Sequence, residues 1–396
     1  MRSSTTGPAP QGSGRLPDLP HQRDQRIDLF RGIALVMIFI NHIPGTLWEN
    51  FTSRNFGFSD AAEGFVLMSG IAAGLAYGPA FLKRQPLWPA TLRPWRRALT
   101  IWAVHVLVVA LVLALFLALA EHPAIAEMAK RRNILPAIQD PASYLLPLTL
   151  LSHQFAYADI LPMYVVLMVV APGILWCAVR APGWTMAASL ALWFLIGLLR
   201  IRVPTWPLDN GWFFNPLAWQ VLFVAGILTG LALRQRRRLL PVRPWAVWLS
   251  AAVVIAAAFW VQVPVIAAWG GHGFWLLHEY AGLPPVLTAF DKSFVFFPRL
   301  LHILALAYLI SALPWLRTAA AHPRLAPLTL LGRHSLPVFA SSTVLAYGAQ
   351  VIKAMSPPSL LLDSALIAAG LAILFAIAVV RDRQKPPKAP APAPAP

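Results

Sequence analysis

The chain has 396 residues, 58% of them hydrophobic and only 12% charged, with a mean hydropathy of +0.64. That balance excludes a single soluble domain and marks a polytopic membrane protein. The formal net charge of +17 does not indicate a nucleic-acid binder, because the basic residues fall in short clusters between apolar segments instead of one patch. The lone cysteine, Cys177, excludes an intrachain disulfide and a cysteine-based zinc cage; set in an apolar run, it reads as buried filler.

In chain order, residues 1–25 lack the apolar core of a cleavable signal and read as a disordered cytoplasmic tail. Residues 26–380 form the membrane domain. A span needs about 20 mostly apolar residues, and about ten candidates follow: 28–45, 61–81, 98–120, 158–179, 184–200, 217–233, 244–263, 296–316, 329–354 and 360–380. The Pro/Ala-rich residues 381–396 read as a second disordered tail. The expected fold is therefore an all-α polytopic bundle. With both termini cytoplasmic, the inner loops collect roughly twice as many Lys and Arg as the outer ones, as the positive-inside rule requires. Outer segments near 121–157, 201–216 and 264–295 are long, and the last is a candidate for a re-entrant or interfacial helix. No matched pair of interrupted spans marks an inverted-repeat transporter.

The first span, "RIDLFRGIALVMIFINHIPG", carries Asp28 and Arg31 at one end and Asn41 and His42 at the other. At about 100° and 1.5 Å per residue, Arg31 and His42 lie within roughly 20° of one another and about 16 Å apart, and Asp28 falls within roughly 40° of that face. A charge facing lipid is costly, so this stripe is expected to face the bundle or a wet cavity. The plainer alternative is an i, i+3 pair at one interface and a headgroup anchor at the other.

After a short loop containing Arg54 and Asn55, "NFGFSDAAEGFVLMSGIAAGLAYG" returns Asp60 and Glu63 to the same surface as His42. Histidine beside a carboxylate suits general-base catalysis, whereas D-x-x-E at a helix start is also a capping box. Gly70, Gly74 and Gly78 form a strip for close approach of another helix.

In "LRPWRR", Arg93, Arg96 and Arg97 offer planar donors suited to phosphate, or else snorkel at the membrane surface. In the eighth span Arg299 and His302 stand one turn apart near the outer surface; Arg299 is suited either to an anionic group or to an ion pair with Asp291 or Glu63. Asp159 reads as a helix cap or a functional acid, and Arg333 and His334 mark a helix start. His105, His153, His272 and His278 have no ligand spacing, and no metal is expected. Trp206, Trp212, Trp269 and Trp275 suit either sugar stacking or an interfacial belt.

The segments "IDLFRGIALVMIFINHIPG" and "RNFGFSDAAEGFVLMSGIAAGLAYG" resemble the opening of the OpgC family, membrane proteins associated with succinylation of osmoregulated periplasmic glucans. "LPMYVVLMVVAPGILW", "NPLAWQVLFVAGILTG", "DKSFVFFPRLLHILALAYL" and "LGRHSLPVFA" extend the likeness across residues 26–380. More distantly, R-G-[IL]-A…H, F-V-L-x-S-G and R-x-x-R resemble the broad transmembrane acyltransferase superfamily.

The resemblance implies a multi-pass protein of the bacterial inner membrane. Such a protein passes a short acyl group, such as succinyl, from cytosolic acyl-CoA to hydroxyls of a periplasmic glucan or other saccharide, with lipid as the surrounding partner and no nucleic acid. On that likeness Asp28, Arg31, Arg93, Arg96 and Arg97 dock the CoA, and His42 is the base, oriented by Asp60 or Glu63. Asn41, Arg54, Asn55, Arg299 and His302 contact the acyl group or acceptor. A narrow polar passage would join the two ends. Residues alone leave open a transporter or flippase for a lipid-linked sugar or organic anion, and a non-catalytic assembly subunit.

Overall fold

Backbone groups in lipid must be satisfied within their own segment, which favours helices wherever the chain is apolar. The computed structural model describes residues 24–83 and 85–384, and all its regular structure there is helical. The first half contains α1 (Gln25–Asn41), α2 (Ala61–Leu82), α3 (Leu87–Ala118), α4 (Pro123–Arg131), α5 (Leu135–Gln139), α6 (Pro141–Thr149), α7 (Ile160–Arg180) and α8 (Pro182–Leu198). The second contains α9 (Pro216–Arg234), α10 (Pro244–Gln262), α11 (Pro264–Glu279), α12 (Pro285–Thr288), α13 (Phe297–Ala312), α14 (Trp315–Ala320), α15 (Ala326–Arg333), α16 (Ser335–Ala354) and α17 (Leu360–Arg383).

Every expected span holds a helix. Seven of them, α2, α3, α7, α9, α10, α16 and α17, are long and apolar enough to cross a membrane; α8 and α13 are shorter apolar helices. The starts follow local chemistry. Asn215 accepts from Leu217 N (3.1 Å) just ahead of Pro216 at the head of α9, and Ser359 accepts from Leu362 N (3.3 Å) ahead of α17.

Two glycine crossings set the core. The predicted strip on α2 meets a matching one on α9: a Cβ on Gly70 or Gly74 would collide with the carbonyl oxygen of Phe223 or Ile227, and one on Gly226 or Gly230 with that of Leu67 or Ile71. The second crossing joins α1 to α15, where a Cβ on Gly32 would strike the Leu328 carbonyl and one on Gly332 the Asp28 carbonyl. This contact corrects the single span expected over 329–354. Pressed backbone to backbone on α1, α15 stops at Arg333, and the chain turns at His334 before α16 departs along α3 and α17.

The outer segment 121–157 folds into α4, α5 and α6, whose Ile125, Ala129, Ile134, Ala137 and Leu148 pack with Phe116 of α3 and Tyr347 of α16. The expected helix within 264–295 is α11, which buries no residue and packs on α10. Cys177 is exposed on α7 instead of buried, because that face of α7 points away from the bundle. The helical region extends slightly into both predicted tails, since Gln25 and residues 381–383 are helical; residues 1–23 and 385–396 lie outside the described residues.

Replacing Gly70 by Ala should lower stability by about 1–3 kcal/mol, because two backbones must separate. Gly173→Ala, where a Cβ meets nothing within 4 Å, serves as the control and should leave the melting temperature in detergent unchanged. Equal melting temperatures for the two variants would contradict the crossing.

Candidate functional site

At the N-terminal end of α1, Asp28 and Arg31 are both buried, as the shared stripe required. Arg31 Nη2 donates to the carbonyl oxygen of Met68 on α2 (3.4 Å). The guanidinium lines a cavity of about 130 Å³ together with Ser69, Tyr77, Arg97, Tyr164 and Ser335. The α2 part of its wall runs from Tyr77 to Phe65, twelve residues or about 18 Å of helix axis. Arg31 is the one α1 residue in its lining and His42 is not part of it, so the expected passage along α1 between the two ends is not open in this structure. Phe65 and Phe339, with ring centroids 6.1 Å apart, both line it. Of the three α3 arginines only Arg97 reaches the cavity; Arg93 and Arg96 are exposed on α3.

At the opposite end the capping box is formed. Asp60 Oδ1 accepts from Ala62 N (2.9 Å), and Glu63 Oε2 accepts from Asp60 N (3.0 Å). The same two carboxylates also hold cations. Arg299 of α13 donates through Nε to Glu63 Oε1 (2.7 Å) and lies 3.6 Å from Asp60, while Lys292 Nζ donates to Asp60 Oδ2 (2.5 Å). Glu63 is wholly buried. Burial alone would raise the Asp60 carboxyl, but the Lys292 and Arg299 charges outweigh it and hold the group well below the usual carboxylate range. Of the two ion-pair alternatives for Arg299, Glu63 is the partner; Asp291 instead lies 4.0 Å from Arg200.

Neither Asp60 nor Glu63 hydrogen-bonds the His42 ring, because both are engaged by Lys292 and Arg299. The imidazole is held by other means. Its ring lies 4.7 Å from that of Tyr157, centroid to centroid, and Gln350 Nε2 of α16 donates to the His42 carbonyl (2.6 Å). Its Nδ1 is buried with no hydrogen-bond partner among the described residues.

Tyr157 sits at φ +69°, a left-handed conformation costing roughly 1–2 kcal/mol for such a residue. Its neighbour Ala156 is fixed from both sides: the Ala156 carbonyl accepts from the Tyr347 hydroxyl, and its N–H donates to Arg132 O (3.1 Å). The strain at Tyr157 is thus imposed by the cap of α4–α6 on the bundle.

The remaining predicted residues shape the loop between α1 and α2. Asn41 Oδ1 accepts from Thr52 Oγ1 (2.7 Å), and Asn55 Nδ2 donates to Glu49 O (2.7 Å). Arg54, largely exposed, pairs with Glu49 at 3.5 Å. His302 is buried with Ser59 Oγ 2.6 Å from its Nδ1, and a Cβ at Gly57 would overlap its ring. Asp159 stands at the N-cap position of α7 but makes no capping hydrogen bond. Arg333 and His334 approach Asp382 of α17 at 3.6 and 3.0 Å. Trp212 is buried, whereas Trp206, Trp269 and Trp275 are exposed.

Sequence reasoning did not single out Lys292, Arg132, Tyr157 or Gln350. Gln350, a lone amide in the apolar run "TVLAYGAQVIKA", carried a usable signal, because a polar side chain within a span demands a partner.

A family model described as OpgC protein matches residues 23–386. The chain belongs to the OpgC family. Comparisons with curated proteins and with solved structures gave no significant match. Family membership and the apolar helical bundle together identify a membrane protein of acyltransferase type. In this OpgC-family chain the match begins just ahead of α1 and closes just past α17, so both ends of the site lie within it.

Removing one member of a buried ion pair strands the other. Arg299→Gln should therefore destabilise the OpgC fold by about 3–5 kcal/mol. The double variant Glu63→Gln/Arg299→Gln should recover much of that loss in thermal unfolding. A double variant as unstable as the sum of the single ones would mean the two side chains are not coupled.

Proposed function

We propose that this protein is an integral membrane O-acyltransferase of the bacterial inner membrane. It transfers a short acyl group, succinyl in the first instance, from cytosolic acyl-CoA to hydroxyls of a periplasmic glucan. The observation that carries the reading is the two-ended α1: Arg31 joins Arg97 in one cavity at the inner end, and His42, its Nδ1 unpartnered among the described residues, stands at the outer end.

Arg31 and Arg97 supply charge for the anionic part of the donor at the cytosolic mouth, with Tyr77, Tyr164 and Ser69 as neutral hydrogen-bonding groups deeper in. Asp28, buried one turn before Arg31 on α1, shares that end of the site. Arg93 and Arg96, exposed on α3, make at most outlying contacts with the donor. A cavity wall about 18 Å long matches a slender arm better than a bulky head, so the thioester advances while the nucleotide stays behind. The cavity stops short of His42, so its far end must open for the thioester to arrive.

At the outer end His42 Nε2 removes the proton from the acceptor hydroxyl. The oxygen attacks the thioester carbonyl carbon, and the tetrahedral oxyanion collapses with cleavage of the C–S bond. The proton passes from the imidazolium to the departing thiolate, leaving an ester and free CoA. Asp60 and Glu63 act at one remove: they fix Lys292 and Arg299, whose positive charge favours the oxyanion. Asn41, Asn55 and Arg54 support the loop over which the acceptor approaches, and His302 anchors that loop through Ser59.

His42→Ala should abolish acyl transfer by folded protein in proteoliposomes given succinyl-CoA and a glucan acceptor; retained transfer would remove His42 from the chemistry. Cargo movement without covalent change would favour a transporter instead. Arg97→Gln should raise the KM for acyl-CoA about tenfold, a loss of about 1.4 kcal/mol in binding, with little change in kcat, whereas Arg96→Gln should leave KM within twofold. Equal effects at both positions would argue against the cavity as the donor site.

A further inference from the structure

Three cations stand near the outer end of α1, and they differ in what neutralises them. Lys292 is paired with Asp60 at 2.5 Å, and Arg299 with Glu63 at 2.5 Å and Asp60 at 3.6 Å. The third is Arg132, the residue that closes α4. Among the described residues no carboxylate lies within salt-bridge distance of it. Its Nε donates to Gln350 Oε1 (2.9 Å), and its guanidinium lies over the Tyr157 ring, 4.5 Å from the centroid. Among the described residues no protein group hydrogen-bonds Nη1 or Nη2. The side chain is half-buried, so these nitrogens are neither sealed in the core nor loose in solvent.

Local sequence explains why the residue is held there. Asn133 adopts φ +61°, the left-handed conformation that stops a helix, and so ends α4 at Arg132. Asn133 is then tied down twice: its carbonyl lies 2.9 Å from His153 Nε2, and its side-chain amide donates to Gln154 O (3.0 Å). Gln350 completes the frame. One amide end accepts from Arg132 and the other donates to the His42 carbonyl (2.6 Å), while Tyr157 lies against both the His42 ring and the Arg132 guanidinium. Two separate bridges therefore fix Arg132 relative to the proposed base, and the separation cannot exceed the two ring distances through Tyr157 combined.

A planar cation held by its Nε and one face, with both terminal amino groups open, is built to receive a bidentate anion. From this we infer that Arg132 is a specificity-determining residue: it binds a carboxylate on the substrate at the His42 end, and the carboxylate is the distal one of a dicarboxylic acyl group. The inference rests on the acyl-transfer reading, and it moves the recognition of that carboxylate from Arg299, which is already occupied, to Arg132. The same chemistry is available on an anionic acceptor, so the test varies both partners.

Wild-type protein and Arg132→Gln, each in proteoliposomes, are given succinyl-CoA or butyryl-CoA, which differ in the terminal carboxylate at equal chain length. Each donor is paired with a neutral glucan oligosaccharide and with one carrying a carboxylate. The substitution should lower kcat/KM for succinyl-CoA about 10- to 100-fold, the cost of a hydrogen bond to a charged group, and leave butyryl-CoA within about threefold on either acceptor. Arg132→Lys should retain part of the succinyl preference, because it keeps charge without the planar fork. The ratio of donors within one preparation is independent of how much protein folds. Equal losses for both donors, or an unchanged ratio, would overturn the assignment, as would a loss that follows the acceptor's charge. Wild-type protein that transfers neither acyl group would instead sink the acyl-transfer reading itself.

Discussion

The His42 end of the bundle is organised by one buried contact, the ion pair between Glu63 and Arg299. A carboxylate with no exposure, one turn inside an apolar helix, is tolerable only with a cation beside it. Meeting that demand brings α13 against the start of α2, and with α13 comes the preceding segment that carries Lys292. Asp60 then takes Lys292 while still capping α2. Two residues three positions apart thus end a loop, start a helix and assemble a charged cluster near His42. Buried pairs of this kind are not strong sources of stability in themselves; their value here is that few other packings of the chain would satisfy both carboxylates.

The glycine crossings do for the rest of the bundle what the ion pair does for its outer end. In lipid, helices gain little from burying apolar surface, and close van der Waals approach takes over that role. The α2–α9 contact through Gly70, Gly74, Gly226 and Gly230 gives α2 a rigid backing, so its opposite face can line a cavity without collapsing onto it. The α1–α15 contact through Gly32 and Gly332 holds α1 at its Asp28–Arg31 end. Both helices that bear the proposed chemistry are fixed by backbone contact on one side and left to face open space on the other.

Much of this was legible in the sequence because the signals were local. Fourteen positions of a single helix relate Asp28, Arg31 and His42; a four-residue glycine repeat announces a crossing; D-x-x-E announces a cap. What was not legible came from residues far apart in the chain. Arg132 lies in "AKRRN", which reads as an exposed basic turn, and only the return of the 151–159 loop and of α16 gives it Tyr157 and Gln350. The three α3 arginines carry the same chemistry in sequence, yet only Arg97 reaches the cavity, since position along the helix decides as much as residue type. The break at His334 was half legible: "GRHS" marks the start of α16, but the run over 329–354 is apolar enough for one span and conceals the separate short helix α15 that packs on α1. The expected histidine–carboxylate bond failed because short loop length brings groups near without deciding which partner each will choose. Given two nearby cations, the acids took those.

The separation of the two ends bears on how such a site would work. A cavity of about 130 Å³ that follows about half of α2 yet leaves out His42 is a passage with a closed end, and Phe65 and Phe339 are among the side chains that line it. On the acyl-transfer reading this closure has a use. A thioester is stable enough in the cytosol but is lost if water reaches it beside a general base, so a permanently open passage would waste donor and leak ions. Aromatic rings in the lining, Phe65 and Phe339 among them, are apolar and turn about only two torsions, so a slender arm could displace them at small entropic cost. Donor entry and base access would then be coupled, with the thioester meeting His42 only when the arm itself fills the closed end and excludes the water that would compete with the sugar.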